Sequence, residues 1–513
     1  MLRLVAPALV AALIASHGAW AKDLNGTSGS DRIVGTHGAD LIKPRAGADR
    51  IDARGGNDRI SSPLDDAPDV VSCGAGTDLA LVAGGDRVAR DCEVVARQLS
   101  RDGSADFAAQ HETEVEPDSF SFGRTIVTAY QVGRFASGGG AAALGWATSR
   151  DGGGTWRSGV LPTTSPAVSD PAVAYDAVHR TWLVTFVALT RGTVDVYVSR
   201  SPDGLAWGAP VPVAIAPSPD ADYDKEWVVC DNGAASAFRG RCYVSYLDVG
   251  STTIVTRAST DGGLTWRAPV GTRAGLPDGA FVNGAVPVVR PNGDLVVVET
   301  VFAPFSGSEG DFVAATRSTD GGASFSAATH VSALRTENPV GMRAPPLVSA
   351  DVDLSGAVRV VWADCRFDDQ CRSNDVVVAV SRDGVSWAPP VLVPTGVHTA
   401  RVRTDAMLPA VAVDGTSVAV AYYTLPQPNG CAQYSCRGLD AWVVVQRGGR
   451  WARPQRISPQ AMPLAWLADG GIGAMVGDYV SVSWSGGRPF AVVALATEPE
   501  AGTLRQAVYA VAS

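Results

Sequence analysis

The sequence has little charge and very little lysine. Charged residues make up 18% of its 513 positions, and lysine occurs only at positions 22, 43 and 225. The formal net charge is −10, so the chain lacks the basic surface that nucleic-acid binding requires. The 56 glycines and 32 prolines argue against a helical bundle or a coiled coil. The length predicts two or three domains or one repeat architecture.

The sequence also has few long hydrophobic runs. The longest one lies at the amino terminus. Arg3 precedes an apolar run over residues 4–15, and Ala19, Trp20 and Ala21 form a small-x-small pattern before Lys22. The run is too short to span a bilayer, and no later run is long enough. Residues 1–21 therefore predict a cleaved signal peptide, with a retained anchor as the alternative. We expect a secreted protein, extracellular or periplasmic, without a membrane span.

Histidine is scarce and no C-x-x-C motif occurs, which argues against a zinc site. Eight cysteines are present, and an even number in an exported chain predicts disulfides, although sequence alone does not fix their connectivity. They fall into four couples that are close in sequence: Cys73/Cys92, Cys230/Cys242, Cys365/Cys371 and Cys431/Cys436.

A nine-residue period runs through residues 25–60. Aspartate recurs at Asp31, Asp40, Asp49 and Asp58, with isoleucine two positions later and glycines before it. A weaker echo follows at Asp78 and in residues 84–88. Glycine permits left-handed turns, isoleucine would point inward, and aspartate with turn carbonyls would bind calcium. The period predicts a small parallel β-roll, with a Gly/Asp-rich linker as the alternative.

This period resembles the RTX (haemolysin-type) calcium-binding repeat over residues 24–93. The resemblance implies Ca²⁺ as a cofactor bound by the repeated aspartates, with Cys73 and Cys92 closing the end. Several turns lack paired glycines, and Pro44 and Arg45 interrupt the third. Residues 94–113 show no sustained apolar period and are predicted to be a linker with a short helix. The proposed calcium ligands are Asp31, Asp40, Asp49, Asp58 and Asp78.

From residue 114 onward, short alternating strands predict an all-β body. A longer repeat is superimposed, and its aspartates are 52 to 63 residues apart, which suits a four-stranded blade. Its copies begin Ser149-Arg-Asp151-Gly, Ser201-Pro-Asp203-Gly, Ser259-Thr-Asp261-Gly, Ser318-Thr-Asp320-Gly and Ser381-Arg-Asp383-Gly, and Gln446-Arg-Gly-Gly-Arg-Trp451 is a degenerate sixth copy.

The S-x-D-G-G-x-T-W repeat resembles the Asp box (BNR repeat) of sialidase-like β-propellers. The resemblance covers residues 114–513 and implies a propeller of six or seven four-stranded blades, preceded by the β-roll. Three strand-like runs after the sixth copy favour seven blades, with the chain just before Glu116 supplying an outer strand. In that family the boxes lie on the face away from substrate, so we assign them a structural role.

Because strand direction alternates within a blade, the entrances of all first strands are predicted to meet at one pore mouth. Clustered charges there are typical of a sugar-binding cleft, although ion pairs and strand caps are the simpler interpretation. The loops holding Cys365/Cys371 and Cys431/Cys436 share this rim. The entrances are Glu116-Pro-Asp118, Asp170, Asp224-Lys225-Glu226-Trp227, Asn283, Gly341-Met-Arg343, Arg403-Thr-Asp405 and Gly477-Asp478-Tyr479.

The resemblance also implies catalytic roles. Sialidases use a tyrosine nucleophile activated by glutamate, because an anionic sugar would repel a carboxylate. These roles fall on Tyr479 and Glu226, with Asp118 as acid/base. The expected substrate-binding residues are Arg343, Arg403, Arg366, Asp224, Lys225, Asp405 and Asp478.

One departure weakens the sialidase interpretation. The family's early Arg-Ile-Pro motif is absent, since Arg124 is followed by Thr-Ile-Val. The sequence therefore predicts a monomeric glycoside hydrolase acting on a glycan or polysaccharide, with a non-catalytic carbohydrate- or surface-binding propeller as the alternative. A polysaccharide lyase would need a base near an arginine, and neither His330 nor His398 is expected to reach the rim.

Overall fold

The computed structural model describes residues 21–62, 67–104, 106–137, 139–163, 165–190, 192–218, 221–304, 310–397, 402–427 and 437–512. The predicted signal peptide and the Cys431/Cys436 couple lie outside these residues, apart from Ala21. The chain divides into two compact units, one of residues 1–80 and 85–93, the other of residues 81–84 and 94–513. Almost no helix occurs in the described part; a 3-10 turn spans Leu464–Trp466.

The first unit is a parallel β-roll, which confirms the prediction. Successive strands alternate between two parallel sheets, so that neighbours within a sheet are one full turn apart. One sheet contains β1 (Asp23–Asn25), β3 (Leu41–Lys43), β5 (Arg59–Ser61) and β7 (Leu79–Val82). The other contains β2 (Arg32–Val34), β4 (Arg50–Asp52), β6 (Val70–Ser72) and β8 (Arg87–Val88).

Isoleucine and aspartate side chains stabilise the roll in two different ways. Ile42, Ile51 and Ile60 are fully or almost fully buried between the sheets. From Asp40 onward, each repeated aspartate accepts a hydrogen bond from a backbone amide one turn earlier: the Asp40 amide donates to Asp58 at 2.7 Å, and the Asp58 amide donates to Asp78 at 2.7 Å. The nine-residue period thus specifies both an apolar core and a hydrogen-bond ladder.

The second unit consists of successive antiparallel sheets, each formed by strands in chain order. The first contains β10 (Ala109–Phe122), β11 (Thr125–Phe135), β12 (Ala141–Ser149) and β13 (Arg157–Val160). The second contains β14 (Ala167–Asp176), β15 (Thr181–Leu189), β16 (Val194–Ser201) and β17 (Val211–Ala214). The third contains β18 (Tyr223–Cys230), β19 (Cys242–Asp248), β20 (Thr253–Ser259) and β21 (Val270–Gly271).

The later sheets follow the same plan. The fourth contains β22 (Phe281–Val289), β23 (Leu295–Phe302), β24 (Phe312–Ser318) and β25 (Thr329–Ala333). The fifth contains β26 (Ser349–Val352), β27 (Val358–Asp364), β28 (Asp375–Ser381) and β29 (Val391–Leu392). The sixth contains β30 (Thr404–Asp414), β31 (Ser417–Pro426) and β32 (Gly438–Arg447), with β33 (Arg450–Trp451), β34 (Gln455–Arg456) and β35 (Met462–Pro463) all paired to β32.

The last sheet joins the two ends of the unit. It contains β38 (Ser481–Ser485), β39 (Arg488–Ala496) and β40 (Gln506–Ala512), preceded in the chain by a small hairpin of β36 (Ala468–Asp469) and β37 (Ala474–Met475). Its outer strand is β9 (Val94–Gln98), antiparallel to β40. Residues 94–98 are therefore a strand, although the sequence predicted a linker there. Pairing them removes the exposed edge of the last sheet.

The first strands of these sheets form a closed ring. Each contacts the first strand of the next sheet in the order β10, β14, β18, β22, β26, β30 and β38, and β38 contacts β10 again. Apolar clusters fill the layers between adjacent sheets, and Val187 and Val244, for example, pack between the second and third. Strands such as β15 are buried along almost their whole length because both faces are covered.

The repeated turns join third and fourth strands in the first five sheets, as predicted. In the third sheet, Asp261 accepts hydrogen bonds from Ser259, from the Leu264 and Thr265 amides and from the Thr265 hydroxyl, at 2.6 to 3.0 Å. The degenerate sixth copy is a plain hairpin, with Gly448 and Gly449 in left-handed conformations. These turns follow the third strand and so lie at the opposite end of each sheet from the entrance of its first strand.

Candidate functional site

The first strands carry a β-bulge just inside their entrances. Register shifts occur in β10, β14, β18, β22 and β30. At these shifts Glu116, Asp170, Lys225 and Leu408 have φ of 50 to 53°, and Gly284 has φ of 68°. A bulge redirects side chains, and a left-handed non-glycine residue is strained. Three of the four strained non-glycine residues are charged. Strained backbone that carries charged side chains at one rim indicates a functional site there.

The entrances of the first strands surround a cavity of about 890 Å³, named here the mouth cavity. Its charged lining residues are five acids and three bases, so the lining is acidic overall. Most of these come from the predicted entrances, together with Asn283, Gly341 and Met342. The acids are Glu116, Asp170, Asp222, Asp224 and Asp478, and the bases are Arg134, Lys225 and Arg343.

Lys225 lies at the centre of the acidic group. Its side chain is only 6% exposed, and its Nζ lies 3.3 Å from the centre of the Tyr479 ring and 4.7 Å from that of Trp227. Nζ makes no hydrogen bond within the described residues, and its nearest ion-pair partner is Asp170 at 4.0 Å. A buried ammonium group with three unused N–H donors is costly unless something accepts them. Two aromatic rings compensate part of the Lys225 charge, and its N–H donors remain without an acceptor at the edge of the mouth cavity.

Arg343 is already engaged by protein groups. Its Nε donates to one oxygen of Asp478 at 2.7 Å and its second terminal nitrogen donates to the other at 2.5 Å. A third bond reaches the Gly470 carbonyl, in the tip of the β36–β37 hairpin, at 3.2 Å. This bidentate pair fixes the hairpin to the rim. It also leaves Arg343 less able to hold a substrate carboxylate than the sequence predicted.

Two acids of the mouth cavity have raised pKa values. Burial raises the pKa of Glu116 to about 8, helped by the charges of Asp170 and Asp478. Burial and the Asp170 charge likewise raise the pKa of Asp224 to about 6, against the lowering effect of Lys225. Glu116 is tied at both oxygens, accepting from the Gln131 amide and from the Asp478 backbone amide. Asp224 is the acid better placed to exchange protons near neutral pH.

Behind the mouth cavity, a channel of about 390 Å³ is lined by Asp118, Lys225, Trp227 and Tyr479. The Tyr479 hydroxyl donates to the Pro171 carbonyl at 3.1 Å. Asp118 accepts from the Val173 amide at 2.7 Å and from the Ser481 hydroxyl at 3.1 Å, and burial raises its pKa to about 6. Both residues line the channel; Asp118 joins β10 to β14 and β38, and Tyr479 reaches β14 from the chain just before β38.

The expected tyrosine–glutamate pair is not assembled. Glu226 is fully buried, lines neither cavity, and its two oxygens have no hydrogen-bond partner among the described residues. Because the Tyr479 hydroxyl is bound to a carbonyl, Glu226 does not activate it. The bulge at Lys225 directs that side chain to the mouth and turns the next residue into the protein.

Three further predicted binding residues lie outside both cavities. Arg366 forms a bidentate pair with Asp364. Arg403 is exposed and donates to Gln427 at 3.1 Å. Asp405 is buried and accepts from Gln427 and from the Asn374 amide. Local partners take up these groups, so the expected arginine triad does not form. His330, on an outer strand, stacks on Phe312, and His398 lies outside the described residues.

Sequence reasoning missed Arg134 and Asp222 in the lining. Arg134 ends the second strand of its sheet, and Asp222 precedes a first strand by one residue. Second strands end on the same rim at which first strands begin, so strand direction alone could have identified Arg134. Ile472, between β36 and β37, also lines the mouth cavity. Its hairpin gave no comparable signal in the sequence, because the two strands are only two residues long.

The roll offers oxygen ligands for calcium. Asp58 and Asp78 each have one buried oxygen without a hydrogen-bond partner among the described residues. Burial raises the pKa of Asp58 to about 6, and the charges of Asp78 and Asp40 add to this. A hard cation would compensate such carboxylates. Within the described residues no three acidic, histidine or cysteine side chains form a metal-binding group, so turn carbonyls would complete the coordination. The residues fit calcium.

Asp31 and Asp40 have more hydrogen-bond donors than Asp58 and Asp78. Asp31 accepts from the Thr27 amide and hydroxyl at 2.6 and 2.9 Å, and the Thr27 amide bond lowers the pKa of Asp31. Asp40 accepts likewise from Thr36 at 2.6 and 2.9 Å. The Asp49 side chain accepts from the Asp31 amide at 2.7 Å. Asp69 and Asp86 continue the same ladder, which the sequence pattern had not shown in full.

Three of the predicted disulfides are present: Cys73–Cys92, Cys230–Cys242 and Cys365–Cys371. Cys431 and Cys436 lie outside the described residues. No helix of the described part is both long and apolar enough to cross a membrane.

Comparison with known families identifies the amino-terminal repeat. Residues 25–60 match the RTX calcium-binding nonapeptide repeat in four copies. These residues are calcium-binding RTX repeats, which confirms the prediction of Ca²⁺. No curated protein matches the chain.

Several solved structures resemble the chain at low identity. A protein of unknown function from Dyadobacter fermentans is 19% identical, covering 66% of this chain and 95% of its own, with a TM-score of 0.45. A leech intramolecular trans-sialidase is 12% identical, covering 63% and 67%, with a TM-score of 0.43. A GH93 α-L-arabinofuranosidase of Fusarium graminearum is 15% identical, covering 69% and 95%, with a TM-score of 0.42. These values give no information on activity.

Proposed function

We propose that the protein is an exported glycoside hydrolase that cleaves a glycan in the mouth cavity and carries a calcium-binding roll. The observation that supports this most directly is the acidic mouth cavity of about 890 Å³ around the unsatisfied Lys225. Convergent carboxylates with a raised pKa in a cleft are the groups that glycoside hydrolysis needs.

The proposed architecture is an Asp-box propeller of seven blades over residues 114–513, closed by the strand at 94–98. The ring of first strands and the five aspartate turns support it. A cleaved signal over residues 1–21 would export the chain, and the disulfides suit an oxidising compartment. The roll over residues 24–93 would then meet calcium outside the cell. We propose that the protein is a monomer.

The proposed chemistry uses two carboxylates of neighbouring blades. Asp224, whose pKa is raised to about 6, would donate a proton to the glycosidic oxygen. Asp170, 4.0 Å from the Lys225 ammonium, would supply the negatively charged partner that acts as base or nucleophile. Glu116 holds the Asp478 backbone in place, and Asp478 holds Arg343. These groups are positioning residues.

The proposed glycan is not acidic. Asp170, Asp222 and Asp224 line the cavity without an arginine partner among the described residues and would repel a sialoside carboxylate, and Arg343 is neutralised by Asp478. The tyrosine–glutamate arrangement that an acidic sugar demands is also not assembled. The specific proposal of sialidase activity is therefore replaced by hydrolysis of a glycan without negative charge.

Hydrolysis of a panel of neutral aryl glycosides, with an aryl sialoside beside them, tests the proposal. Asp224→Asn and Asp170→Asn should each lower kcat/KM by about a hundredfold to ten-thousandfold, the usual contribution of an acid or base. Asp369→Asn removes an exposed charge outside both cavities and should leave kcat/KM unchanged. Glycan binding without turnover would replace the enzyme by a non-catalytic binding propeller. Turnover that survives both substitutions would refute the assigned roles.

A further inference from the structure

The basic groups of the mouth cavity are committed to protein partners or buried. Arg343 is bound to Asp478 and to the Gly470 carbonyl. Arg134 is 2% exposed and donates to the Gly140 carbonyl at 2.8 Å. Among the described residues, unused N–H donors remain on Lys225 and on Nε of Arg134, and both nitrogens are buried at the edge of the cavity. The bases therefore offer a ligand few accessible donors and little net positive charge.

The acids of the same cavity are less committed. Asp170 is buried, and its one ion-pair partner among the described residues is Lys225, at a distance longer than a hydrogen bond. Asp224 accepts from the Lys225 backbone amide and keeps further acceptor capacity. Both carboxylates approach Lys225 from neighbouring first strands. A ligand that contacts Lys225 is therefore also presented with two acceptors that carry negative charge.

A ligand that satisfies this arrangement needs acceptors and charged donors close together. Sugar hydroxyl oxygens would accept from Lys225. An ammonium group would donate to Asp170 and Asp224, and charge-assisted hydrogen bonds of this kind are stronger than neutral ones. A neutral sugar would satisfy Lys225 but leave Asp170 and Asp224 without a charged donor, and an acidic sugar would bring a further negative charge beside them.

We propose that the glycan bound in the mouth cavity contains an amino sugar with a free, protonated amine, recognised by Asp170 and Asp224. This substrate class rests on the proposed glycoside hydrolase function and narrows it. An N-acetylated unit would lack the charge and would place an amide and a methyl group against two carboxylates, which is unfavourable because the buried charges would lose their partner.

Glucosamine, N-acetylglucosamine and glucose form a matched set of probes, and none contains a glycosidic bond to cleave. NMR titration of the full chain should be run slightly above the pKa of Asp224, at about pH 6.5. Glucosamine should bind about tenfold or more tightly than either of the other two, which is about 1.4 kcal/mol. Added salt should reduce this preference.

Asp224→Asn and Asp170→Asn should each bring the preference for glucosamine close to one, whereas Asp369→Asn should keep it. Tryptophan fluorescence checks that each variant is folded. Equal or tighter binding of N-acetylglucosamine, or a preference that survives both substitutions, would overturn the inference. If neutral glycosides are hydrolysed while glucosamine shows no preference, this inference alone fails. If none of the sugars binds and no glycoside is hydrolysed, the proposed function fails with it.

Discussion

Aspartates at the two ends of the same sheets behave in opposite ways. At the repeated turns, backbone amides of Ser386 and Val385 hold the pKa of Asp383 below its usual range. At the mouth, burial and neighbouring acids raise the pKa of Asp224 to about 6. Each turn aspartate accepts three or four hydrogen bonds, whereas the mouth carboxylates, which are buried or partly buried, have fewer donors. Turn carboxylates stabilise the fold, whereas ionised mouth carboxylates lower its stability.

The comparison indicates that the number of hydrogen-bond donors around a carboxylate decides its role. The position of the carboxylate in the ring does not. A carboxylate with several N–H and O–H donors is stabilised as an anion. A carboxylate buried without donors favours the protonated form and costs stability when ionised. Such a group is retained where it contacts a ligand. Three substitutions test this comparison, in order of decreasing expected effect.

Glu299 gives the largest expected effect, because it is buried without donors yet lies at neither end. It belongs to β23, is 0% exposed, and neither oxygen has a hydrogen-bond partner among the described residues. It lies on the same face of β23 as Val297 and Val301, which pack in the apolar layer between the third and fourth sheets. Burial raises its pKa to about 8. If the number of donors decides the role of a carboxylate, Glu299 should lower the stability of the fold when it is ionised, as a mouth carboxylate without a ligand would.

Glu299→Met should therefore stabilise the ring. The folded pKa is raised, so wild-type stability is fully present below the unfolded value of 4.5 and is lost as pH rises through about 8. The variant should gain on the order of 2–3 kcal/mol at about pH 7 and much less at about pH 4.5. Urea unfolding followed by tryptophan fluorescence measures this. Glu337→Met, at an exposed position, is the control, and a gain that does not vary with pH would contradict the argument.

Asp261 tests the other side of the comparison. Asp261→Ala removes four hydrogen bonds from a turn at the far end of the third sheet. We expect a loss of about 2 kcal/mol in the free energy of unfolding, with kcat/KM unchanged. Asp261→Asn keeps an acceptor oxygen and should lose about half as much.

The pH dependence of this loss has the opposite sign to that of Glu299. Burial tends to raise the pKa of Asp261, but the bonds from Thr265 and Ser259 outweigh it and lower the value to about 2. The stability from this turn is present above the unfolded value of 3.8 and is lost as pH falls through about 2. Because the group is partly exposed to solvent, the pH-dependent part should be about 1 kcal/mol. A wild-type advantage that persists unchanged at low pH would argue against a role for the charge.

Much of this fold was predictable because its signals are local and repeated. The Asp/Ile period specifies the roll, and the Ser-x-Asp-Gly turns mark the end of each third strand. Strand direction then places Glu116, Asp170 and Lys225 on one rim without any knowledge of distances. The sequence predicted that the chain just before Glu116 closes the last sheet, but the closing strand is residues 94–98. Its position was not predicted because its partner is more than 400 residues away in the chain and alternation over five residues is a weak signal.

The site was less predictable because it depends on bulges and on local capture of side chains. Adjacent residues Lys225 and Glu226 look equivalent in sequence, yet one bulge separates a cavity-lining ammonium from a buried acid. Arg366 lies two residues after Asp364 and is taken up by it. Neither outcome follows from residue type or spacing, since both depend on backbone angles that only the folded chain defines.

The roll supplies the smallest expected effect and a third kind of carboxylate, buried like the mouth acids but intended for a cation. In the presence of EDTA, the raised pKa of Asp58 means that stability is present below pH 3.8 and is lost as pH rises through about 6. Because Asp58 would give up its proton across this range, the wild-type roll should lose about 1 kcal/mol between about pH 5 and pH 7. Calcium should restore it at pH 7, and Asp58→Asn should show neither effect.

The roll can be followed separately because residues 22–93 contain no tryptophan. A transition seen by far-UV circular dichroism but not by tryptophan fluorescence therefore reports the roll. Asp52→Asn removes an exposed carboxylate from the same unit and should behave as wild type. If calcium stabilises Asp58→Asn as strongly as wild type, Asp58 is not a ligand. If the stability of the roll in EDTA does not change with pH, the hydrogen-bond ladder already satisfies the roll carboxylates. The roll carboxylates would then resemble the turn aspartates, and differ from the mouth carboxylates, in their number of donors.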